Sequence, residues 1–147
     1  MLRSLKLLLI VVLFVPFSSC QKYSQGLVQS AGRADEAVVL SNLRSIIVAE
    51  NAYNVSNGSY GTFEQLTSGG FLDARFKGDR PSINEYSYTI AVSEKSPSTG
   101  MASFTCNADP ERSGDRAGRH FYIDSTSNDI HVNATQPASA TDEIIKP

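Results

Sequence analysis

The sequence predicts an α+β domain in which one long N-terminal helix packs on a four-stranded antiparallel sheet, with a short helix in the loop between them. Three observations carry this. Apolar residues recur at spacings of three and four over residues 33–56, four later runs alternate and are rich in aromatic and β-branched residues, and a capping pattern at Thr62 and Gln65 lies between the two regions. A sheet of this size cannot bury its inner face alone, so the apolar side of the helix is needed to complete the core.

The long helix is drawn from Arg33 to Ser56. Ala37, Leu40, Leu43 and Ile47 form one apolar track, and Val39, Ile46 and Tyr53 form an adjoining one. Glu36, Asn42, Arg44, Ser45 and Asn51 fall mostly on other faces. Asp35 and Glu36 suit the positive end of the helix dipole, and Asn57-Gly58 is a C-terminal stop signal. The short helix occupies Phe63–Leu66, opened by Thr62 and ended by Ser68-Gly69-Gly70. Phe71, Leu72 and Phe76 then stand as apolar anchors in a loop packed back onto the core, and Lys77–Asn84 is a turn-rich approach to the sheet.

The strands are Tyr86–Val92, Ala102–Ala108, His120–Asp124 and Ile130–Asn133. Ser96–Gly100 and Ser125–Asp129 are short enough for antiparallel hairpins, whereas Asp109–Arg119 is a long charged loop. Residues after Asn133 are expected to form an extended tail.

The N-terminus has a different character. Arg3 and Lys6 precede an apolar run, Leu7–Phe17, that ends in Ser18-Ser19-Cys20. That run is roughly 11 residues, well short of the ~20 needed to cross a bilayer as a helix, so it reads as the apolar region of an export signal. The layout resembles a bacterial lipoprotein signal, which implies removal of residues 1–19 and acylation of Cys20. Phe17 departs from the leucine usual in that family, and an ordinary secretory signal is the alternative. Residues 20–32, with Gln, Ser and Gly and few large apolar groups, read as a tether, leaving a globular domain at 33–134 and a tail at 135–147. Gln21 in place of aspartate after the cysteine implies the outer membrane within that family.

From Cys20 onward about 128 residues remain, enough for one ordinary domain, with a formal charge near −4 once Arg3 and Lys6 are gone. The acids and bases are interspersed, so no nucleic-acid partner is implied. Cys20 and Cys106 are the two cysteines. An acylated Cys20 cannot form a disulfide, which leaves Cys106 as a small buried hydrophobe in its strand. Without acylation a Cys20–Cys106 bridge is open to the chain.

Candidate chemistry is sparse. His120 and His131 are strand histidines beside apolar residues, and Asp124 and Ser125 near His120 come with no nucleophile-elbow glycines, so no catalytic residue is assigned. Asp109, Glu111 and Asp115 are oxygen donors of the kind Ca²⁺ uses, yet Arg112, Arg116 and Arg119 are interleaved with them and oppose a divalent cation. Pairing within a solvated charged loop is the preferred reading, and no cofactor is assigned.

Taken in order, EAVVLSNLRSIIVAENAY, Tyr60–Leu66, Gly70-Phe71-Leu72-Asp73, YSYTIAV, and Asn107–Pro110 leading through Gly118–Asp124 resemble the globular part of type IV pilins and type II secretion major pseudopilins, over about Ala34–Asn133. The resemblance implies a long helix on an antiparallel sheet, action by protein contact in a pilus or secretion apparatus, and, as in major pseudopilins, calcium in a loop of the sheet region. The N-terminus departs from it. Gly26-Leu27-Val28-Gln29 is followed by polar residues, where the family has an apolar assembly helix with a glutamate near its start. A freestanding envelope lipoprotein that binds a ligand or partner is the alternative, and an envelope hydrolase built around His120 a third.

Overall fold

A computed structural model describes residues 20–95, 100–112 and 118–145, with side chains from Asp35 onward. The expected signal segment, residues 1–19, lies outside the described residues. The chain divides into two compact units, Met1–Ala31 and Gly32–Pro147. In the first, the described residues belong to α1 (Cys20–Asn57), so the stretch read as a tether is helical. No helix among the described residues is long and apolar enough to cross a membrane.

The second unit holds the rest of α1, the short helix α2 (Phe63–Ser68), a 3-10 turn at Ala74–Phe76, and six strands: β1 (Ser82–Ile83), β2 (Tyr86–Ser93), β3 (Ser103–Pro110), β4 (His120–Asp124), β5 (His131–Asn133) and β6 (Glu143–Ile144). All pair antiparallel in sequence order. The expected fold, a long helix on a four-stranded sheet, is therefore corrected to a six-stranded meander with one long helix. Each added strand is two residues long, too short for alternation to register in sequence.

Local chemistry makes both added edges. The β1–β2 turn is Asn84-Glu85, with φ of 51° and 61° at the two residues, the backbone of a two-residue hairpin loop that matches the twist of its strands. Asparagine enters that region readily, whereas glutamate there is strained. The strand at the other edge is made by the tail. The Ile145 amide donates to the Ile130 carbonyl at 2.8 Å, and Asn133 Nδ2 donates to Asp142 Oδ1 at 2.8 Å. Ala138 is buried, so the segment expected as an extended tail packs on the domain.

The core lies on one face of the sheet. Register places Tyr88, Ala108, Phe121 and Val132 in a row across β2–β5, and Ile90, Cys106 and Ile123 in the next. These join Val39, Leu43, Ile46 and Ile47 of α1 in one cluster, with Phe63 and Leu66 of α2 and Phe76 of the 3-10 turn. The two predicted helix tracks hold in that centre but not at its margin. Ala37 is exposed and Leu40 only half-buried, whereas the polar Asn42 and Glu50 are buried. Asn42 is admitted because its Nδ2 donates to the Tyr88 hydroxyl at 2.9 Å.

α2 is opened by reciprocal bonds. The Gln65 amide donates to Thr62 Oγ1 at 3.3 Å and the Thr62 amide donates to Gln65 Oε1 at 2.8 Å, so two otherwise unpaired amides are satisfied. With Phe63 and Leu66 turned inward, this helix caps the end of the core.

Candidate functional site

Among the described residues, the acids singled out in the sequence do not converge. Asp109, at the end of β3, lies beside His120 at the start of β4, with Asp109 Oδ1 and His120 Nδ1 2.7 Å apart. Glu111 is exposed, and Asp115 lies outside the described residues. No group of three or more potential metal ligands forms among the described residues. Two of the interleaved arginines are engaged: Arg112, just after β3, pairs with Glu85 in the β1–β2 turn, and Arg119 forms a forked contact with Glu36 of α1, Nη2–Oε2 at 2.7 Å and Nε–Oε1 at 3.1 Å. Arg116 lies outside the described residues. Arg119 thus ties the start of β4 to α1, a geometric role that the sequence spacing of 83 residues hides.

Asp124 and Ser125 sit at the opposite end of β4 from His120. Although partial burial works to raise the Asp124 carboxyl, the Thr126 hydroxyl and the Thr126 and Ser127 amides hold it below the usual range. It is a turn-forming acceptor for the β4–β5 hairpin. The Ser125 amide donates to the Phe104 carbonyl at 3.1 Å, and no hydroxyl hydrogen-bonds to His120 among the described residues. His131 is buried, its Nδ1 2.9 Å from the Asp142 carbonyl oxygen. Cys106 is fully buried, and burial pushes its thiol well above its ordinary value, which suppresses the thiolate needed for reactivity. The side chain of Cys20, the expected lipidation site, lies outside the described residues.

What the described surface does offer is an uncovered side of α1. Val48 is 68% exposed and Val55 is 87% exposed, seven residues apart and therefore on one side of the helix. Beside Val48 runs a groove of about 490 Å³ lined by Ser41 and Arg44 from α1 and by Phe71, Leu72 and Arg75 from the segment after α2. Arg75 lies 5.3 Å over the Phe76 ring, and its Nε stands 3.8 Å from Asp73 Oδ1. Arg44 makes no ion pair among the described residues. Apolar side chains, a guanidinium already positioned and another without a carboxylate are features of a contact surface.

Sequence reasoning misses this surface because Val48 and Val55 fall outside both apolar tracks. A valine off the track, repeated after seven residues, is the signal that marks it. None of the protein-family models, characterised proteins or solved structures compared with the chain matches it.

Proposed function

We propose that the protein is a non-enzymatic, exported lipoprotein, held on the cell envelope through Cys20, whose folded head acts by protein contact in a type IV pilus or type II secretion assembly. The observation that carries the tether is the N-terminal run: Arg3 and Lys6, then Leu7–Phe17, then Ser18-Ser19-Cys20. Each acyl methylene buried in a bilayer contributes ~0.8 kcal/mol, and two or more chains hold a protein where one barely does. Contact as the mode of action is supported by the uncovered Val48–Val55 side of α1 and the groove beside it. The resemblance of Ala34–Asn133 to pilin and pseudopilin heads points to the apparatus. A freestanding envelope lipoprotein is the second reading, favoured by the polar residues that follow Gly26-Leu27-Val28-Gln29, where the assembly helix of the family would lie.

The test is fractionation of cells expressing the wild-type chain or Cys20→Ala, with mass spectrometry of the mature N-terminus. An acylated Cys20 in the membrane fraction, lost from that fraction on substitution, is the expected result. A Cys20→Ala chain that stays membrane-bound as the wild type does overturns the tether.

A further inference from the structure

Glu50 is fully excluded from solvent on the core side of α1. Its two oxygens are treated unequally. Oε2 accepts a hydrogen bond from the Gly61 amide at 2.9 Å, while Oε1, equally buried, meets no donor. An ionised carboxylate has about four acceptor positions, so one amide leaves it far from satisfied.

Nor is there a counter-charge. No lysine, arginine or histidine among the described residues pairs with Glu50. From β3 the titratable group that acts with it is the buried Cys106 thiol. That thiol in turn acts with the Tyr88 phenol of β2, which accepts from Asn42 of α1 and is itself pushed up to about 12, chiefly by burial. The connection between the helices contributes the Gly61 amide. A Cβ at Gly61 would stand 3.1 Å from the Tyr53 ring and 3.2 Å from Leu66, so a side chain there would crowd both and the close approach to Glu50 suits glycine. Every titratable group named here is neutral or anionic when it titrates, and none offsets a negative charge on Glu50.

We propose that Glu50 and Gly61 form a pH-responsive latch, which holds the connection between α1 and α2 closed on the core while Glu50 carries its proton and releases it when that proton is lost. The proton leaves the carboxyl for solvent. The carboxylate then strengthens its bond to the Gly61 amide but still lacks donors at the buried Oε1, and in this latch the lifting of residues 58–62 is what admits water to it. Burial pushes the carboxyl up to about 7, with the Gly61 amide pulling the other way, so the transition falls near neutrality. Because the folded-state value is raised, the stabilisation is complete below the ordinary value of 4.5, declines as pH rises, and is gone above about 7. The device belongs to the folded head and holds whether or not Cys20 is acylated.

The experiment uses the full chain and Glu50→Gln, which keeps the shape of the neutral acid and cannot ionise. Thermal midpoint and hydrogen exchange at Gly61, corrected for intrinsic rates, are followed from about pH 5 to about pH 8.5. The wild type is expected to lose melting temperature as pH rises, with about tenfold or greater loss of Gly61 protection, and Glu50→Gln to hold both nearly constant. Parallel profiles for the two proteins, or no change in either, overturn the latch. Should Glu50→Gln fail to fold, carboxyl ¹³C titration of the wild type decides. A Glu50 midpoint near 7 that coincides with the loss of Gly61 protection supports the latch, and a midpoint in the ordinary carboxylate range overturns it.

Discussion

On one face of the sheet Tyr88, Ala108, Phe121 and Val132 stand in a row, clustered with Leu43 and Ile46 of α1. On the other, Asn107, Tyr122 and His131 form the neighbouring row, covered by the tail. There the links are polar: Asn107 Nδ2 donates to the Ala138 carbonyl at 2.9 Å, His131 Nδ1 faces the Asp142 carbonyl oxygen, and the Asp142 side chain accepts from Asn133 and from the Ser139 amide and hydroxyl. Those Ser139 and Asn133 bonds hold the Asp142 carboxyl below its usual range. The inner face is closed by removing apolar surface from water, which has no preferred direction and scales with area. The outer face is closed by hydrogen bonds, which are directional and individually modest.

This contrast predicts a hierarchy of damage. The largest effect is expected from Leu43→Asp, which places an unpaired charge at a fully buried position; circular dichroism should show an unfolded chain at room temperature. A chain ending at Thr135 is expected to keep its fold. It loses the cover of Ala138, the packing of Ile145 and five tail hydrogen bonds, a cost of about 5 kcal/mol at ~1 kcal/mol per bond, read by urea titration with the inner-face spectrum retained. Were that truncation to unfold the domain as fully as Leu43→Asp does, the two faces would not differ in the way described. The smallest effect belongs to the sheet edge. Glu85→Gly relieves a glutamate at φ 61° but gives up its exposed pair with Arg112, so a gain of about 0.5 kcal/mol, or a rise of a few degrees in melting temperature, is expected.

The same contrast explains what was legible in advance. The inner face follows the alternation of β2–β4 and the 3.6-residue track of α1, and Thr62 with Gln65 announces α2. The tail strand was illegible because Glu143-Ile144 has no periodicity to show and gains its order from Asn133 and Ile130, which bond to Asp142 and Ile145 across 9 and 15 residues. The first strand was hidden by its turn. Asn84 suits positive φ but Glu85 does not, so the asparagine-glycine signature of such a turn is missing. Of the candidate site, Asp109 and His120 could be suspected as neighbours across a hairpin, but their separation from Asp124 and Ser125 follows from strand length alone. The polar members of the core, Asn42 and Glu50, look on the sequence like surface positions. Their burial depends on partners 46 and 11 residues away, the Tyr88 hydroxyl and the Gly61 amide.

The amino-acid sequence by itself determined where the centre of α1 turns its apolar side, the alternation of the central strands, and how α2 begins. These depend on nearest neighbours along the chain and on transfer of side chains out of water, both readable from local order. Only the tertiary structure decided the number of strands, the closing of the outer face by the tail, the uncovered Val48–Val55 side with its groove, and the burial of Glu50. Each of those is set by a partner distant in sequence, and a hydrogen bond or a desolvated charge has no value until that partner is in place.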